Sequence, residues 1–438
     1  MEIDKTTLND LSIFNAEEEF SIFQKLDLTK TIGGREKLKQ FFSKSLSTTE
    51  AIVGIQQTLT VIQQNKNAWP QIISNGSIMV IQKFYETSVD QIPSNPSATN
   101  AYAYKLFHGP DFSLVKYSTG HGFDFIKGMQ SLINALLKDE SPEPLKKLLQ
   151  RAQTIIEKDQ FAIIQKKEKA DELSMVEMLH LANFLRYHYK QNIFELIEIY
   201  SQLDAWYAMA MAMDKYDLVF PEFIKGDTPT VNVTGLYHIL LSQPVAYDIT
   251  LDQENNFLFL TGANMAGKST FIKSVGAAVF LGHIGMGVPA KAMQLTLFDG
   301  LLSNINVVDN IVKGESYFFN EVQRIKNTIT KINDGKKWLV LIDELFKGTN
   351  VQDAMKCSGT VIKGLIKIPN SLFILSTHLY EIAEELNTYP NILFRYFETE
   401  VKEDQLLFSY QLKEGVSNDR IGYLILKQEK VVEMLENL

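Results

Sequence analysis

Apolar and polar positions change their rhythm once along this chain, near residue 220. Before that point apolar residues recur at three- and four-residue spacing in "AEEEFSIFQKLDL", "REKLKQFFSKSL" and "TEAIVGIQQTLTVIQQN", the period of helices with one buried face. Gly33-Gly34 predicts a break between the first two. Long helical patterns resume at "SPEPLKKLLQRAQTIIEKDQF" and "SMVEMLHLANFLRYHYKQNIFELIEIYSQLDAWYAMAMAMDKY", with Ser141 before Pro142 as a helix start. Residues 88 to 124 concentrate Pro, Ser, Asn and Gly and predict an irregular connection. The run from Trp206 to Met213 reads as a buried helix whose small and flexible side chains let a neighbour pack closely.

Beyond Pro221 the pattern is one of short β-rich runs: "TVNVT", "VAYDITL", "FLFLTG", "WLVLIDE", "SLFILST", "NILFRYFETE" and "LLFSYQL". Helical segments separate several of them, so this half predicts an α/β domain with a mainly parallel sheet. The expected division is a helical domain over 1–220 and an α/β domain over 221–438. No internal repeat or low-complexity tract is present.

Two of those strand ends carry phosphate chemistry. "FLFLTGANMAGKST" gives Gly262-Ala-Asn-Met-Ala-Gly267-Lys268-Ser269, a full match to GxxxxGK[ST]. Its glycines let backbone N–H groups curl around a phosphate. Lys268 would reach the β/γ-phosphates, the Ser269 hydroxyl would ligate Mg²⁺, and the following helix points its positive end at the same charge. "WLVLIDELFKGTN" ends an apolar strand in Asp343-Glu344, suited to hold Mg²⁺ and to orient an attacking water. Alone, such a pair often merely ends a strand. A further strand ends at Ser376-Thr377-His378, where His378 is a candidate γ-phosphate sensor, although a lone His is commonly a packing residue.

"KGESYFFNEVQ", residues 313 to 323, lies between the loop and the Asp-Glu strand and matches neither. Ser316 heads the helical run that follows. A serine there is either a plain N-cap, with Tyr317, Phe318 and Phe319 as core residues, or a hydroxyl beside unpaired N–H groups offered to a phosphate.

Composition narrows the setting. With 438 residues the chain suggests two or three domains, and 43 basic against 52 acidic residues leave a net charge of −9. A nucleic-acid role would have to rest on local patches such as Lys146, Lys147 and Arg151, or Lys166 and Lys167, although a charge run is usually a solvated helix face. Cys357 is the only cysteine, which excludes an internal disulfide. No basic leader with an apolar stretch opens the chain and no run of about eighteen apolar residues could span a bilayer, so the expected location is cytoplasmic.

Taken together, these residues resemble the ATPase domain of the MutS family, DNA mismatch-repair ATPases of the ABC-type P-loop branch. "TGANMAGKST" resembles its phosphate loop, "GMGVPA" its following Val-Pro-Ala segment, "DELFKGTN" with Asp353 its Asp-Glu strand end, and "STHLYEI" its Thr-His strand end. "GESYFFNE" is similar to the segment that opens the family's signature helix, with Glu321 in the position of a later acidic residue. The N-terminal half resembles the family's core or lever domain at Leu26-Asp27, Thr29, Thr31 and Gly34-Arg-Glu-Lys-Leu38. "GLYHILLSQP" is similar to the entry segment, but Ile239 stands where Pro usually follows His, which leaves a role for His238 in doubt. Residues 88 to 140 match nothing.

The resemblance implies an α-helical core/lever domain plus an α/β P-loop ATPase domain, and a homodimer with two composite sites. It implies ATP and Mg²⁺ as cofactors, with Gly262, Ala263, Asn264, Met265, Ala266, Gly267, Lys268, Ser269 and Thr270 around the nucleotide. Ser316 would act from the partner subunit, Ser269 and Asp343 would hold the metal, and Glu344, His378 and Asn264 would serve catalysis. No stretch matches the family's mismatch-reading wedge. "KFYET", at Lys83 to Thr87, has the letters but sits inside the core pattern and reads as ordinary helix. A DNA-binding, MutS-type ATPase in repair or recombination is therefore expected, with possible repair-protein partners. The alternative is a nucleotide-switched protein-interaction module. A P-loop kinase fits poorly, because Glu344 beside Asp343 suggests water as the acceptor.

Overall fold

A computed structural model of the protein describes residues 1–305, 317–402, 405–417 and 430–436. It forms two compact units, one of Met1–Lys25, Lys44–Ile52 and Lys215–Leu438, the other of Leu26–Ser43 and Val53–Asp214. A single cut at residue 220 does not describe this division. Glu2 and Ile3 pair in parallel with Gly300 and Leu301, and the Leu46 N–H donates to the His283 carbonyl at 2.8 Å, so N-terminal segments belong to the α/β unit.

The strands of that unit are, in chain order, β1 (Glu2–Ile3), β2 (Glu222–Phe223), β3 (Val231–Leu236), β4 (Tyr247–Leu251), β5 (Phe257–Gly262), β6 (Ala292–Leu295), β7 (Gly300–Asn304), β8 (Trp338–Asp343), β9 (Ser371–Ser376), β10 (Ile392–Lys402) and β11 (Gln405–Glu414). Seven form one sheet in the order β1-β7-β8-β9-β5-β10-β11, parallel except for the antiparallel β10–β11 hairpin. A smaller sheet runs β2-β6-β3-β4.

Every residue of β5, β7, β8 and β9 is buried, as a parallel sheet covered on both faces requires. On one face Phe257, Phe259, Val340, Ile342 and Phe373 pack against Ile362, Leu365 and Leu386 from the helices Val351–Leu365 and Ile382–Leu386. On the other lies the helix Lys268–His283, whose Gly276 lets it close on Leu341: a Cβ there would stand 2.5 Å from the Leu341 Cδ1.

The second unit is helical, and three local expectations change. The stretch from 88 to 124 is not an irregular connection throughout, because Ala98–Phe107 and Gly109–Leu136 are helices. Pro110 falls in the first turn of the second, where its missing N–H costs nothing. Gly122 and Gly128 there admit close neighbours: a Cβ at Gly128 would lie 2.8 Å from the Ile73 Cδ1, and at Gly122 3.1 Å from the Leu185 Cδ1.

Ser141 does not open the next helix. Its Oγ donates to the Leu136 carbonyl at 2.7 Å and accepts from the Lys138 N–H at 2.8 Å, closing the helix before it, while the next begins at Glu143 after Pro142. Gly33-Gly34 is no break either. Thr31 caps the helix Ile32–Phe41, and both glycines sit in its first turn against Ser201 and Asp204 of the helix Lys190–Tyr216. The fully buried Asp204 accepts from the Lys30 N–H at 3.0 Å, the Thr31 N–H at 2.9 Å and the Thr31 Oγ1 at 2.7 Å. Burial pushes its carboxyl pKa up against those bonds.

The Trp206–Met213 run is a buried helical segment as expected, and Phe84 of "KFYET" is buried within the helix Asn75–Glu86. No helix among the described residues is long and apolar enough to cross a membrane.

Candidate nucleotide site

The ends of β5, β8 and β9 come together because these strands are parallel neighbours in the order β8-β9-β5, with Ser376 in register with both Asp343 and Leu260. The loop after β5 turns on Gly262 (φ +136°) and Gly267 (φ +110°), left-handed values that a side chain resists. A Cβ on Gly262 would also stand 3.0 Å from the Phe397 carbonyl oxygen. The helix Lys268–His283 follows at once, its first N–H groups facing the loop.

Lys268 is buried and donates from Nζ to the carbonyls of Gly262 at 2.7 Å and Ala263 at 2.8 Å. Burial pushes its pKa down to about 8, against the pull of Glu344 and Asp343. An anion entering the loop would favour the charged form further.

Asp343 ends β8 facing Ser269. The Ser269 Oγ donates to its Oδ2 at 2.6 Å, and the Ser376 Oγ donates to its Oδ1. Among the described residues no group of three or more His, Cys, Asp or Glu side chains could hold a metal unaided. A hydroxyl and one carboxylate are instead the oxygen donors Mg²⁺ takes when it keeps waters and substrate phosphates as its other ligands, so this pair fits that ion.

Glu344 lies between His378 and Lys347: His378 Nε2 is 2.9 Å from its Oε1 and Lys347 Nζ is 3.2 Å from its Oε2. Burial alone would raise its pKa, but the hydrogen bond from His378 and the charge of Lys347 outweigh it and hold the carboxyl at about 2. His378 Nε2 is also 3.4 Å from Lys268 Nζ. The four residues thus form one connected cluster.

A cavity of about 410 Å³ opens over the loop, lined by Ala263, Asn264, Met265, Gly267, Lys268, Ser269, Thr270 and Glu344. Gly262 and Ala266 shape the loop from behind without lining it. Asp343 and His378 also stand behind the lining, reaching it through Ser269 and Glu344. Ser316 lies outside the described residues.

Sequence reasoning missed the rest of the lining, which is supplied by Leu241, Gln243, Val245, Tyr247 and Tyr410. Val245, Tyr247 and Tyr410 sit in runs read only as strands, and Leu241 and Gln243 in "GLYHILLSQP", a segment whose only candidate site residue is His238. Met265 (φ +67°), Glu344 (φ +66°) and Tyr410 (φ +53°) all take left-handed backbone despite their side chains, and all three line this cavity. Such strain concentrates at functional sites. His238 is buried with its pKa pushed down to about 4 by burial and then by Lys273 and Lys25, and it does not line the cavity.

The basic residues singled out for DNA are partly engaged by acids and carbonyls. Arg151 Nη2 donates to Glu195 Oε2 at 2.9 Å, Lys147 pairs with Glu143 at 3.1 Å, and Lys146 Nζ donates to the Asp139 carbonyl at 3.0 Å. Lys166 is exposed and Lys167 half-buried.

Residues 258–435 match the family described as MutS domain V. The chain is 26% identical over 300 residues to the DNA mismatch repair protein MutS of Staphylococcus haemolyticus, covering 65% of this chain and 34% of that protein. To MutS of Leptospira interrogans it is 29% identical over 296 residues, covering 66% and 33%. The human MutS protein homolog 4 is 28% identical over 245 residues, covering 53% and 25%. The chain thus spans about a third or less of the length of these curated relatives. With its loop, Asp-Glu strand end and Thr-His strand end convergent on one cavity, the C-terminal part of this chain belongs to the MutS family.

Proposed function

We propose that the chain binds ATP with Mg²⁺ in this cavity, hydrolyses it, and couples the cycle to DNA repair or recombination as a homodimer. The observation that carries the reading is the cluster Ser269–Asp343 and Lys268–His378–Glu344 at three adjacent strand ends beneath one cavity. Lys268 and the loop amides would bind the β/γ-phosphates, with Asn264 and Thr270 at their edge and the base toward Tyr410 and Val245. Ser269 and Asp343 would hold Mg²⁺, which neutralises charge on the phosphate oxygens. Glu344 would orient the attacking water. His378 would donate toward the γ-phosphate, and the partner's Ser316 hydroxyl would complete the pocket.

Steady-state turnover tests this. Glu344→Gln should lower hydrolysis about 100-fold with nucleotide affinity retained, and Ser316→Ala should lower it without unfolding the protein. Full turnover in both variants refutes the composite site. Sedimentation with a non-hydrolysable ATP analogue and Mg²⁺ should show dimers.

The relatives' names supply the mismatch-repair context. The acid pairing of Arg151 and Lys147 favours a second reading, in which the switched partner is protein. Gel shifts across a salt series separate the two, since binding through phosphates weakens steeply with salt.

A further inference from the structure

The loop after the Asp343-Glu344 strand end is held by a side chain from another element. Glu321, on the helix Tyr317–Ile332, is 5% exposed, and its carboxylate accepts from the Lys347 N–H at 3.0 Å and the Gly348 N–H at 3.2 Å. One turn earlier the Phe318 ring packs against Phe346 with centroids 5.6 Å apart. Lys347 in turn reaches Glu344 at 3.2 Å.

A carboxylate accepting two adjacent backbone N–H groups is a rigid, charge-assisted clamp. It fixes the loop immediately after Glu344, whose own backbone is left-handed at φ +66°. Phe346, at φ +59°, is strained too, so without an outside hold the segment has every reason to relax.

We propose that Glu321 is a positioning residue for hydrolysis: it clamps the Lys347–Gly348 backbone so that Lys347 holds the Glu344 carboxylate in line. The inference rests on the ATPase reading above. It adds that the helix beginning at Tyr317 is mechanically linked to the water-orienting carboxylate. Motion of that helix, which directly follows Ser316, would then reach Glu344 through Glu321.

Glu321→Gln keeps one acceptor oxygen but turns an amide N–H₂ toward a backbone N–H. Glu321→Ala removes both acceptors. In the full chain, hydrogen exchange at the Lys347 and Gly348 amides should quicken in both variants, more in Ala. Turnover should fall roughly ten- to hundredfold while affinity for a non-hydrolysable ATP analogue stays within about twofold. In a Glu344→Gln background Glu321→Gln should cost nothing further, because both act on one step.

Faster exchange with undiminished turnover overturns the proposal and leaves Glu321 a structural residue. Unchanged exchange overturns it as well. A wild type that binds the analogue but never hydrolyses ATP instead overturns the ATPase reading, and this inference with it.

Discussion

His283 ends the helix that begins at the phosphate loop, and it offers a clean pH experiment. The residue is fully buried, with Nδ1 2.7 Å from the Val279 carbonyl and Nε2 3.0 Å from the Phe298 N–H. A carbonyl needs a donor and an N–H needs an acceptor, so the ring is neutral with its proton on Nδ1. Protonating Nε2 would set one N–H against another in a dry site.

Burial accordingly pushes the His283 pKa from 6.5 down to about 4, although the Val279 bond pulls the other way. For a base whose folded value is depressed, stability is complete above the unfolded value of 6.5. It is lost as pH falls from there toward 4, because the unfolded chain takes the proton first. At pH 5 proton binding favours the unfolded chain about thirtyfold, which at about 1.4 kcal/mol per decade is a loss of about 2 kcal/mol relative to pH 8.

His283→Gln can accept the Phe298 N–H without titrating. Urea unfolding of wild type and variant at pH 8 and pH 5 should show the variant modestly weaker at pH 8 but about 2 kcal/mol less sensitive to acid. His238, also held at about 4, contributes a similar dependence to both proteins and cancels. Equal acid sensitivity in wild type and variant would refute the assignment of the proton to Nδ1 and the burial argument with it.

Gly34→Ala should destabilise the helical unit by about 2 kcal/mol in denaturant titration. The helix-propensity gain of about 1 kcal/mol is outweighed by a Cβ 2.1 Å from the Asp204 Oδ2 and by the disturbed hydrogen bonds of that buried carboxylate. A more stable variant would show that the approach is not tight. Tyr410→Ala should weaken ATP binding about tenfold by calorimetry while leaving inorganic triphosphate binding unchanged, if the base lies against that ring. Asp343→Asn should raise the Mg²⁺ concentration needed for turnover at least about tenfold, and chelation should abolish turnover in both proteins. An unchanged Mg²⁺ requirement removes Asp343 from the metal site.

The strand half of the fold was legible because buried parallel strands announce themselves: "WLVLIDE" and "SLFILST" are unbroken apolar runs that end in polar chemistry, and both form strands ending where those runs stop. Short edge strands were not. β1 is two residues long and pairs with β7 across almost 300 positions, so no local pattern carries it. In the helical half, Gly, Ser and Pro misled. Gly33 and Gly34 read as a break and Gly122 as part of an irregular connection, yet they serve close packing against particular side chains that only the fold supplies. Of the site, the loop and the strand-end carboxylates follow from residue types that phosphate and metal demand. Leu241, Gln243, Val245 and Tyr410 did not, because a lining of ordinary residues gains meaning only from what it faces.

That contrast explains why so diffuse a set of residues comes together beneath one cavity. Lys268, Asp343 and His378 are far apart in the chain, and no spacing between them matters chemically. What matters is that β8, β9 and β5 are consecutive in the sheet and point the same way, which sends their C-terminal ends to one edge. Register then does the fine placement. Ser376, the last residue of β9, lies opposite Asp343, donates its hydroxyl to that carboxylate, and accepts the Glu344 N–H on its carbonyl at 3.0 Å. A one-residue slip of β9 would move Ser376 off Asp343 and carry His378 away from Glu344 in the same step. The apolar residues of these three strands therefore determine the chemistry as directly as the polar ones, because their packing against the flanking helices is what forbids the slip.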